Sequence, residues 1–255
     1  MKFSVVTVCF NAEAHIGAAM ASLAEQTCRD FEWVVVDGGS QDRTLEIVRS
    51  RPELAARILS EPDKGIYDAM NKGIGMAQGE YVFFLNADDG FAGPQVLAEI
   101  AAELEDAVRP DILVGRIWHV LGARRLLRDF SHLSYQRLLM DSICHQAAFC
   151  RRELLQASGG FDLRFRMSAD YAWFLKVLRQ GATMFFTDRV VANFAGDGAH
   201  ARQAEVTKRE YALIGHEHLG PNRYWLYQAW RRLDHYSRRL RRMSPRGYLR
   251  VEALP

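Results

Sequence analysis

The stretch Gly-Glu-Tyr-Val-Phe-Phe-Leu-Asn-Ala-Asp-Asp-Gly, residues 79–90, joins a short apolar run to a cluster of polar side chains. The apolar run, residues 81–85, is unbroken and rich in aromatics, which is typical of a central strand that is covered on both faces. Asn86, Asp88 and Asp89 follow at the carboxyl end of this strand, and in an open α/β sheet that end is where ligands bind. Adjacent carboxylates repel each other unless a cation lies between them, and hard divalent ions take oxygen ligands of this kind. The stretch therefore predicts a metal that also holds phosphates, although a solvated Asp-Asp-Gly turn has the same pattern.

Three further strand-like stretches precede this strand, and helical patterns lie between them. The stretches are residues 3–10, 33–37 and 57–60. Strands that alternate with helices predict a parallel sheet with right-handed crossovers. Asn11, which is also placed to cap the following helix, then lies at the same edge of the sheet as Asp37 and Asp88. We therefore predict an α/β fold with one cleft, lined by Asp and Gly, that suits a nucleotide and a metal.

The second half of the chain continues with shorter segments of both kinds. The predicted segments are a helix from Pro94 to about Ala107, a strand at 111–115, hairpin strands at 116–120 and 124–129, a helix at 135–140, a strand at 146–150, a helix at 169–180, and strands at 183–187 and 190–194. From Gln203 onward the pattern is helical throughout.

The composition is that of an ordinary globular protein. With 255 residues, of which 49% are hydrophobic and 25% charged, the chain can bury a sizeable core. The apolar opening meets Asn11 and Glu13 too early for a signal peptide, and no stretch approaches the ~18 apolar residues that cross a bilayer. The four cysteines include no Cys-x-x-Cys pair, so neither a zinc site nor a redox motif is expected. These features predict a cytoplasmic protein.

Six motifs, taken in order, resemble one known family. They are residues 5–11, 37–44 and 79–89, His145-Gln146, Gly159-Gly160-Phe161-Asp162 and Ser168-Ala169-Asp170-Tyr171. In this order they resemble the family 2 glycosyltransferases. The resemblance implies a GT-A fold, with a Rossmann-like, mostly parallel sheet flanked by helices. It also implies inverting transfer from a nucleotide-sugar, expected to be a UDP-sugar, with Mn²⁺ or Mg²⁺ as the metal and a saccharide or lipid-linked acceptor in surface polysaccharide assembly.

The resemblance assigns roles to individual residues of this chain. Asp37 would hydrogen-bond the base, Asp88 would bind the metal that bridges the diphosphate, and Asp170 would be the general base toward the acceptor hydroxyl. The residues expected to bind the nucleotide-sugar are Thr7, Asn11, Asp37, Gly39, Asp68, Lys72, Asn86 and Asp88. His200, after a Gly-rich loop, is a second candidate metal ligand. The chemistry supports two separate carboxylates for these roles. The departing diphosphate gathers negative charge, which a metal stabilises, whereas the acceptor must lose a proton to a base.

Two of these side chains have alternative interpretations. Asp170 also suits a helix N-terminus, where a negative charge is favourable. His145 either contacts the acceptor or the pyrophosphate, or is a structural histidine with satisfied hydrogen bonds.

Three positions depart from the pattern of the family. Asn86 replaces an Asp, so the expected metal site has one charge fewer, although an amide can still bond a ribose hydroxyl or a metal-bound water. Met70 replaces an Arg that contacts phosphate, a task that Lys64 or Lys72 would take over. Ala169 replaces the Glu of a Glu-Asp pair, which affects the positioning of the acceptor but retains the base.

The C-terminal part differs in charge from the rest of the chain. Residues 221–255 hold nine Arg and two acidic residues, against a net charge of +2 for the whole chain. A basic amphipathic helix here predicts contact with an anionic membrane, or else a helix packed on the domain with a solvated Arg face. We predict a domain over residues 1–202, with a nucleotide-sugar half at 1–107 and an acceptor half at 108–202, and a helical basic extension over 203–255. Both peripheral contact with the membrane and packing on the domain agree with this pattern. No nucleic acid partner is expected.

Two other functions compete with sugar transfer. A nucleotidyltransferase shares the order of strands and helices, but it would need a Gly-rich basic loop where this chain has Asn11-Ala12-Glu13. A catalytically silent nucleotide-sugar-binding or scaffold subunit is compatible with the changes at Met70, Asn86 and Ala169.

Overall fold

The computed structural model describes residues 1–106, 109–139, 141–196, 203–220, 224 and 248–253. His200 and most of the basic tail lie outside these residues. The metal-binding role of His200 and the membrane-binding helix therefore stay predictions.

The described residues form ten strands and eight α-helices, with two short 3₁₀ turns at Pro52–Leu54 and His145–Ala147. The strands are β1 (Phe3–Cys9), β2 (Phe31–Asp37), β3 (Arg57–Ser60), β4 (Tyr81–Phe84), β5 (Gly90–Phe91), β6 (Ile112–Leu121), β7 (Arg124–Arg128), β8 (Ala148–Arg151), β9 (Met184–Ala195) and β10 (Tyr248–Ala253). The helices are α1 (Ile16–Ala24), α2 (Thr44–Arg49), α3 (Ile66–Met76), α4 (Val96–Asp106), α5 (Tyr135–Leu138), α6 (Arg152–Ala157), α7 (Ala169–Arg179) and α8 (Ala204–Leu219).

The first half contains the predicted parallel sheet. Its strands lie in the order β4-β1-β2-β3, and each neighbouring pair is parallel. Every residue of β1 and β4 is buried, which agrees with strands that are covered on both faces. Cys9 is paired with Asp37 at the ends of β1 and β2, so the loops that follow these strands begin side by side.

Helix α3 packs closely against β1. The reason is Gly73, where an added Cβ would overlap the side chain of Val6 on β1. Glycine costs a helix some stability compared with alanine, but here it allows the backbone of α3 to approach the strand. The glycine that weakens the helical pattern in the sequence therefore allows α3 to pack against the middle of β1.

The second half extends the sheet with mostly antiparallel pairs. Strand β8 lies antiparallel between β4 and β6, and β6 also pairs with β7 and β9. The predicted segments at 111–115 and 116–120 form one strand, β6, and those at 183–187 and 190–194 form one strand, β9. Register shifts in the β6–β9 pairing explain the interrupted pattern, because a bulge breaks the alternation of side chains without ending a strand.

The C-terminal segment corrects one prediction. Residues Tyr248–Ala253 form β10, which pairs antiparallel with β7, whereas the sequence predicted helix from Gln203 onward. Strand pairing at this position depends on β7, an edge that lies far away in the sequence. Helix α8 does form, and its Glu210 accepts hydrogen bonds from the backbone N–H groups of Arg166 and Met167 over 2.6 and 2.9 Å. It therefore holds the loop that leads into α7.

None of the described helices has both the length and the apolar composition that a membrane span requires.

Candidate active site

The loops after β1 and β2 are bonded to each other. The backbone N–H of Asn11 donates to Ser40 Oγ over 2.8 Å, and Asn11 Oδ1 accepts from the N–H of Gln41 over 2.9 Å. Asn11 adopts a φ of 48°, in the left-handed region that Asn tolerates better than most residues. The predicted capping of α1 by Asn11 is wrong, since α1 begins at Ile16 without a side-chain cap and the Asn11 side chain joins the two loops instead.

Asp37 lies at the end of β2 and is fully buried. Its carboxylate accepts hydrogen bonds from the hydroxyls of Ser40 and Ser60, the latter over 2.7 Å, and from the N–H groups of Gly39 and Ser40. Burial raises the pKa of Asp37, but the bonds from Ser40, Ser60 and Gly39 outweigh it and hold the pKa below its usual range. Asp37 is therefore an ionised group that organises its own loop.

Thr7 and Phe10 differ in accessibility although both belong to the strand-end region of β1. Thr7 is fully buried, and its hydroxyl accepts from the indole N–H of Trp33 over 2.9 Å. Phe10 is 62% exposed, and its ring lies 3.4 Å from the position that a Cβ on Gly38 would occupy. An exposed aromatic ring next to Gly38, the residue after Asp37, is a candidate contact for a nucleotide base that the sequence reasoning missed. The available signal was an aromatic residue directly after a buried strand.

Asp68 and Lys72 lie on one face of α3 and hold the loop that precedes it. The ammonium group of Lys72 lies 2.8 Å from Glu61 Oε1, 2.9 Å from the carbonyl of Pro62 and 3.8 Å from Asp68 Oδ2. Asp68 also accepts from the backbone N–H of Lys64 over 3.0 Å. The charge of Lys72 is thus already paired. Lys64 is exposed, and its ammonium group makes no ion pair with the part of the chain that the structure describes.

The two adjacent aspartates after β4 have opposite environments. Asp88 is exposed, whereas Asp89 is 3% exposed and accepts from Gln146 Nε2 over 3.0 Å and from the N–H of Ala195 over 2.9 Å. Burial and the neighbouring charge of Asp88 raise the pKa of Asp89 to about 7. Asp88 is therefore the carboxylate that is accessible to a ligand. Asp89 connects the loop after β4 to the end of β9 through its hydrogen bond from Ala195.

A line of hydrogen bonds connects Asn86 to Asp170. Asn86 Nδ2 lies 3.1 Å from His145 Nε2, and His145 Nδ1 lies 3.0 Å from Asp170 Oδ2. His145 and Asp170 are both buried, with 9% and 8% of their surface exposed. Asn86 follows β4, His145 lies in the turn before β8, and Asp170 lies at the start of α7. The structure therefore brings residues from three segments together, with His145 in contact with the other two.

Asp170 receives further hydrogen bonds at its other oxygen. Its Oδ1 accepts from the hydroxyl of Tyr67 over 2.7 Å and from the N–H of Tyr171 over 2.9 Å. Burial raises the pKa of Asp170, but the bonds from His145 and Tyr67 and the N–H of Tyr171 reverse the effect and lower the pKa below its usual range. Asp170 is thus a buried carboxylate that is ionised at neutral pH. Tyr67 was missed by the sequence reasoning, which assigned only Asp68 and Lys72 of helix α3 to the site.

The Gly-Gly-Phe-Asp turn positions the start of α7 against α3. Asn71 Nδ2 donates to the carbonyl of Phe161, and Asn71 Oδ1 accepts from the N–H of Phe161, both over 2.8 Å. Gly160 has a φ of +69°, and a Cβ there would overlap the Asn71 amide. The ring of Phe161 packs 5.4 Å from that of Tyr67, so the turn and the partner of Asp170 form one packed unit.

Two of the departures from the family pattern have a structural explanation. Met70 and Ala169 are both completely buried. A charged side chain at either position would lose its hydration, and burying an unpaired charge is costly. These positions therefore contribute to packing in this protein.

The residues near Asp88 fit a cation only if a ligand supplies most of its coordination. No group of three or more His, Cys, Asp and Glu side chains within the described ranges is arranged to hold a metal ion. Asp88 provides one exposed carboxylate, and the buried Asn86 Oδ1 has no hydrogen-bond partner among the described residues. A divalent ion shared between Asp88 and diphosphate oxygens suits this set, because Mg²⁺ is commonly held by one or two carboxylates together with substrate phosphates.

Comparison with known sequences identifies relatives for this architecture. The family described as Glycosyl transferase family 2 matches residues 4–161. The PGL/p-HBAD biosynthesis glycosyltransferases of Mycobacterium bovis and Mycobacterium tuberculosis are 39% identical over 173 residues, which is 66% of this chain and 66% of theirs. The match thus spans slightly less than two thirds of the length of these relatives. The poly(ribitol-phosphate) beta-N-acetylglucosaminyltransferase TarS of Staphylococcus aureus is 35% identical over 127 residues, which cover 48% of this chain and 22% of TarS.

Solved structures share the fold. TarS residues 1–349 in complex with UDP-GlcNAc superimposes with a TM-score of 0.69 at 24% identity, covering 84% of this chain and 66% of that one. The mannosyltransferase of Pyrobaculum calidifontis in complex with GDP-Man and Mn²⁺ gives a TM-score of 0.59 at 24% identity, covering 89% and 64%. The predicted fold, a mixed α/β architecture with a central sheet flanked by helices as in GT-A glycosyltransferases, is confirmed.

Proposed function

The chain belongs to glycosyl transferase family 2, and on this basis we propose that it transfers a sugar, with inversion, from a nucleotide-sugar to a hydroxyl group of a saccharide or lipid-linked acceptor. The observation that carries the proposal is the pair of carboxylates Asp88 and Asp170. Asp88 is exposed at the end of β4, while Asp170 is buried and its pKa is lowered by its hydrogen bonds despite the opposing effect of burial. One group is suited to a cation and a diphosphate, and the other to a proton.

The nucleotide would bind at the edge formed by the loops after β1, β2 and β4. Phe10 offers an exposed apolar ring for a base, next to Gly38 in the loop that follows Asp37. Since Asp37 is closed off by Ser40 and Ser60, a base that bonds to Asp37 must replace at least one of these hydroxyls. We propose a UDP-sugar because a structure of the relative TarS contains UDP-GlcNAc.

A divalent ion, Mn²⁺ or Mg²⁺, would be held by Asp88 and the diphosphate, and it would supply stabilisation of the negative charge on the leaving group. Asn86 Oδ1, buried and without a partner among the described residues, is available to accept a hydrogen bond from a ribose hydroxyl or a metal-bound water. Lys64, exposed in the loop before α3, is a better candidate than Lys72 to meet a phosphate, because the charge of Lys72 is already paired with Glu61.

The chemical step needs one proton acceptor. The O–H bond of the acceptor breaks, its proton goes to the Asp170 carboxylate, and its oxygen forms a bond to the anomeric carbon. The bond between that carbon and the diphosphate oxygen breaks, and its electron pair leaves with the diphosphate. Attack from the side opposite the leaving group inverts the configuration.

A catalytically silent nucleotide-sugar-binding subunit is the second candidate. It is favoured by the amide at position 86 in place of a carboxylate and by the paired charge of Lys72. The two candidates differ in what Asp170 does, because only a transferase needs this carboxylate to be ionised.

The deciding experiment combines nucleotide binding with turnover. Thermal shifts with UDP, GDP, dTDP and CMP are measured with and without Mn²⁺, and transfer from the corresponding nucleotide-sugars is then followed in wild type and Asp170→Asn. A nucleotide at 100 times its dissociation constant stabilises a protein by about 2.7 kcal/mol, which is readily seen. We expect Mn²⁺-dependent stabilisation by UDP in both proteins and a loss of transfer of at least ~10²-fold in Asp170→Asn. Binding without transfer by the wild type would favour the silent subunit, and full transfer by Asp170→Asn would exclude Asp170 as the base.

A further inference from the structure

We propose that His145 is a positioning residue that orients the Asp170 carboxylate through its Nδ1–H, and that Asn86 selects the ring tautomer that makes this possible. The inference rests on the proposed sugar transfer with Asp170 as the base. It assigns a role to a histidine for which the sequence alone left a contact role and a structural role equally open.

The hydrogen bonds at Asp170 leave one position open for the acceptor proton. Each carboxylate oxygen has about two lone-pair sites. Oδ1 accepts from the hydroxyl of Tyr67 and the N–H of Tyr171, so both of its sites are used. Oδ2 accepts from His145 alone among the described residues. The acceptor hydroxyl therefore meets Oδ2, and the oxygen that takes the proton is the one that His145 holds in place.

The amide of Asn86 determines which ring nitrogen of His145 carries the proton. Asn86 Nδ2 faces Nε2 of the ring at 3.1 Å, and an amide NH₂ group can only donate. Nε2 is therefore the acceptor, and the proton of the neutral ring lies on Nδ1. A proton on Nδ1 is what the contact with Asp170 Oδ2 requires.

A carboxylate at position 86 would act differently. It would present only acceptors to Nε2, so the ring would need a proton on both nitrogens and would become an imidazolium. The amide therefore lets Nε2 act as an acceptor while Nδ1 donates to Asp170. The replacement of the family's Asp by Asn86 therefore affects the hydrogen bonding of the proposed base Asp170 as well as the proposed metal site.

The surroundings hold the ring of His145 in this orientation. The ring meets that of Phe84 edge-on, at 6.2 Å and 88°, and the residue belongs to the short turn His145–Ala147. The next residue, Gln146, is buried and bonded to Asp89. The turn is therefore anchored on both sides of the ring, and rotation of His145 away from Asp170 would break buried contacts.

Two substitutions separate orientation of Asp170 from other roles of His145. In His145→Asn the amide NH₂ lies near the position of Nδ1 and can still donate to Asp170, while nothing replaces Nε2. In His145→Gln the amide reaches the position of Nε2 and can pair with Asn86, while nothing replaces Nδ1. If His145 orients Asp170, His145→Gln lowers kcat by ~10²-fold, His145→Asn lowers it much less, and KM for the nucleotide-sugar changes little in either.

The outcomes distinguish the alternatives. Equal large losses in both variants would overturn the proposal, since they would mean that His145 Nε2 itself contacts the reacting groups or that the ring is needed for packing. Equal activity in both would also overturn it. His216→Asn, at an exposed position on α8, serves as the control for replacing a histidine and should behave as wild type.

A spectroscopic measurement tests the tautomer independently of turnover. Long-range ¹H–¹⁵N correlation spectra of histidine-labelled protein report which ring nitrogens carry protons, and the signal of His145 is assigned by its absence in His145→Asn. We expect a proton on Nδ1 and none on Nε2 in the wild type. An Nε2–H ring or an imidazolium would overturn the proposal, because the Asn86 amide would then have to be reversed. If the wild type shows no transfer at all, the proposed function fails, while this spectrum still decides the tautomer.

Discussion

The hydroxyl of Tyr67 donates a 2.7 Å hydrogen bond to Oδ1 of Asp170, and so joins helix α3 of the first half of the sheet to helix α7 of the second. The two residues are 103 positions apart in the sequence. The bond supplies a buried carboxylate with a hydrogen-bond donor, and it ties the proton-accepting group to the helix that lies beside the nucleotide edge. Loss of this bond should therefore affect both folding and the protonation of Asp170.

Tyr67→Phe is expected to weaken the fold and to shift the pH dependence of transfer. Removing a hydrogen bond to a buried charged group costs about 1.5–3 kcal/mol of unfolding free energy. It also removes one of the interactions that lower the pKa of Asp170, so the pKa rises. The acid limb of kcat/KM, where the base becomes protonated, should then move to higher pH.

The control for Tyr67→Phe is Tyr81→Phe. Tyr81 is fully buried and donates to the carbonyl of Pro110 over 2.7 Å, away from Asp170. It should lose stability in urea unfolding without moving the pH profile. A Tyr67→Phe enzyme whose acid limb coincides with that of the wild type would contradict the expected role of the hydroxyl.

Asp88→Asn and Asp89→Asn form a matched pair at the end of β4. Because Asp88 is exposed and Asp89 is buried against Gln146 and Ala195, only Asp88 is available to a metal and a diphosphate. We expect Asp88→Asn to remove most of the Mn²⁺-dependent thermal stabilisation by UDP, about 2.7 kcal/mol at 100 times the dissociation constant. Asp89→Asn should retain it. The reverse result would place the cation at Asp89.

Ser60→Ala is expected to destabilise the protein in a pH-dependent manner. Ser60 donates to the buried Asp37 carboxylate over 2.7 Å, and a hydrogen bond to a charged group is worth about 1.5–3 kcal/mol. This bond helps to lower the pKa of Asp37, so its contribution is present when the carboxylate is ionised and is lost as the pH falls through the pKa of the folded state. Unfolding curves at pH 7 should differ from wild type more than curves in acid.

Ser50→Ala is the matched control for Ser60→Ala. Ser50 is exposed and donates to the carbonyl of Ile47 within its own helix end. Its unfolding free energy should change by no more than about 0.5 kcal/mol at any pH. A pH-independent loss in Ser60→Ala would mean that its hydroxyl does not act through Asp37.

Gly160→Ala and Gly159→Ala test the turn that positions α7. Both glycines have a positive φ, +80° at Gly159 and +69° at Gly160, so alanine is strained at either position by about 1–2 kcal/mol. Only at Gly160 would the added Cβ also overlap Asn71, which bonds to Phe161 on both sides of its amide. We expect Gly160→Ala to lose more stability and also to lower kcat, because the turn carries the start of α7 and Asp170. Equal effects of the two substitutions on kcat would argue against this positioning by Asn71.

Much of the fold was accessible from local pattern. The apolar runs of β1, β2 and β4, and the helices between them, follow from short-range periodicity, and the parallel order follows from their alternation. The predicted boundaries of strands were wrong where pairing between strands, rather than the local sequence pattern, decided the structure. The shifts within β9 split one strand into two apparent ones, and β10 forms on an edge provided by β7.

The accessibility of the site residues was not predictable in the same way. Asp88 and Asp89 are adjacent and chemically identical, yet the first is exposed and the second is 3% exposed. The difference arises because Gln146 and Ala195 come from other parts of the chain to cover Asp89. Likewise, the closure of Asp37 depends on Ser60, which belongs to a different strand.

The sequence by itself determined that three strand ends with polar side chains meet at one edge of a parallel sheet, and its motifs led to the family. The tertiary structure decided which carboxylates are exposed, which are ionised and which are bonded to each other. Asn86, His145, Tyr67 and Asp170 form one hydrogen-bonded group although they lie on four separate segments. Periodicity and strand order are set by neighbours along the chain, whereas burial and hydrogen-bond partners are set by packing between distant elements, and only the folded chain specifies them.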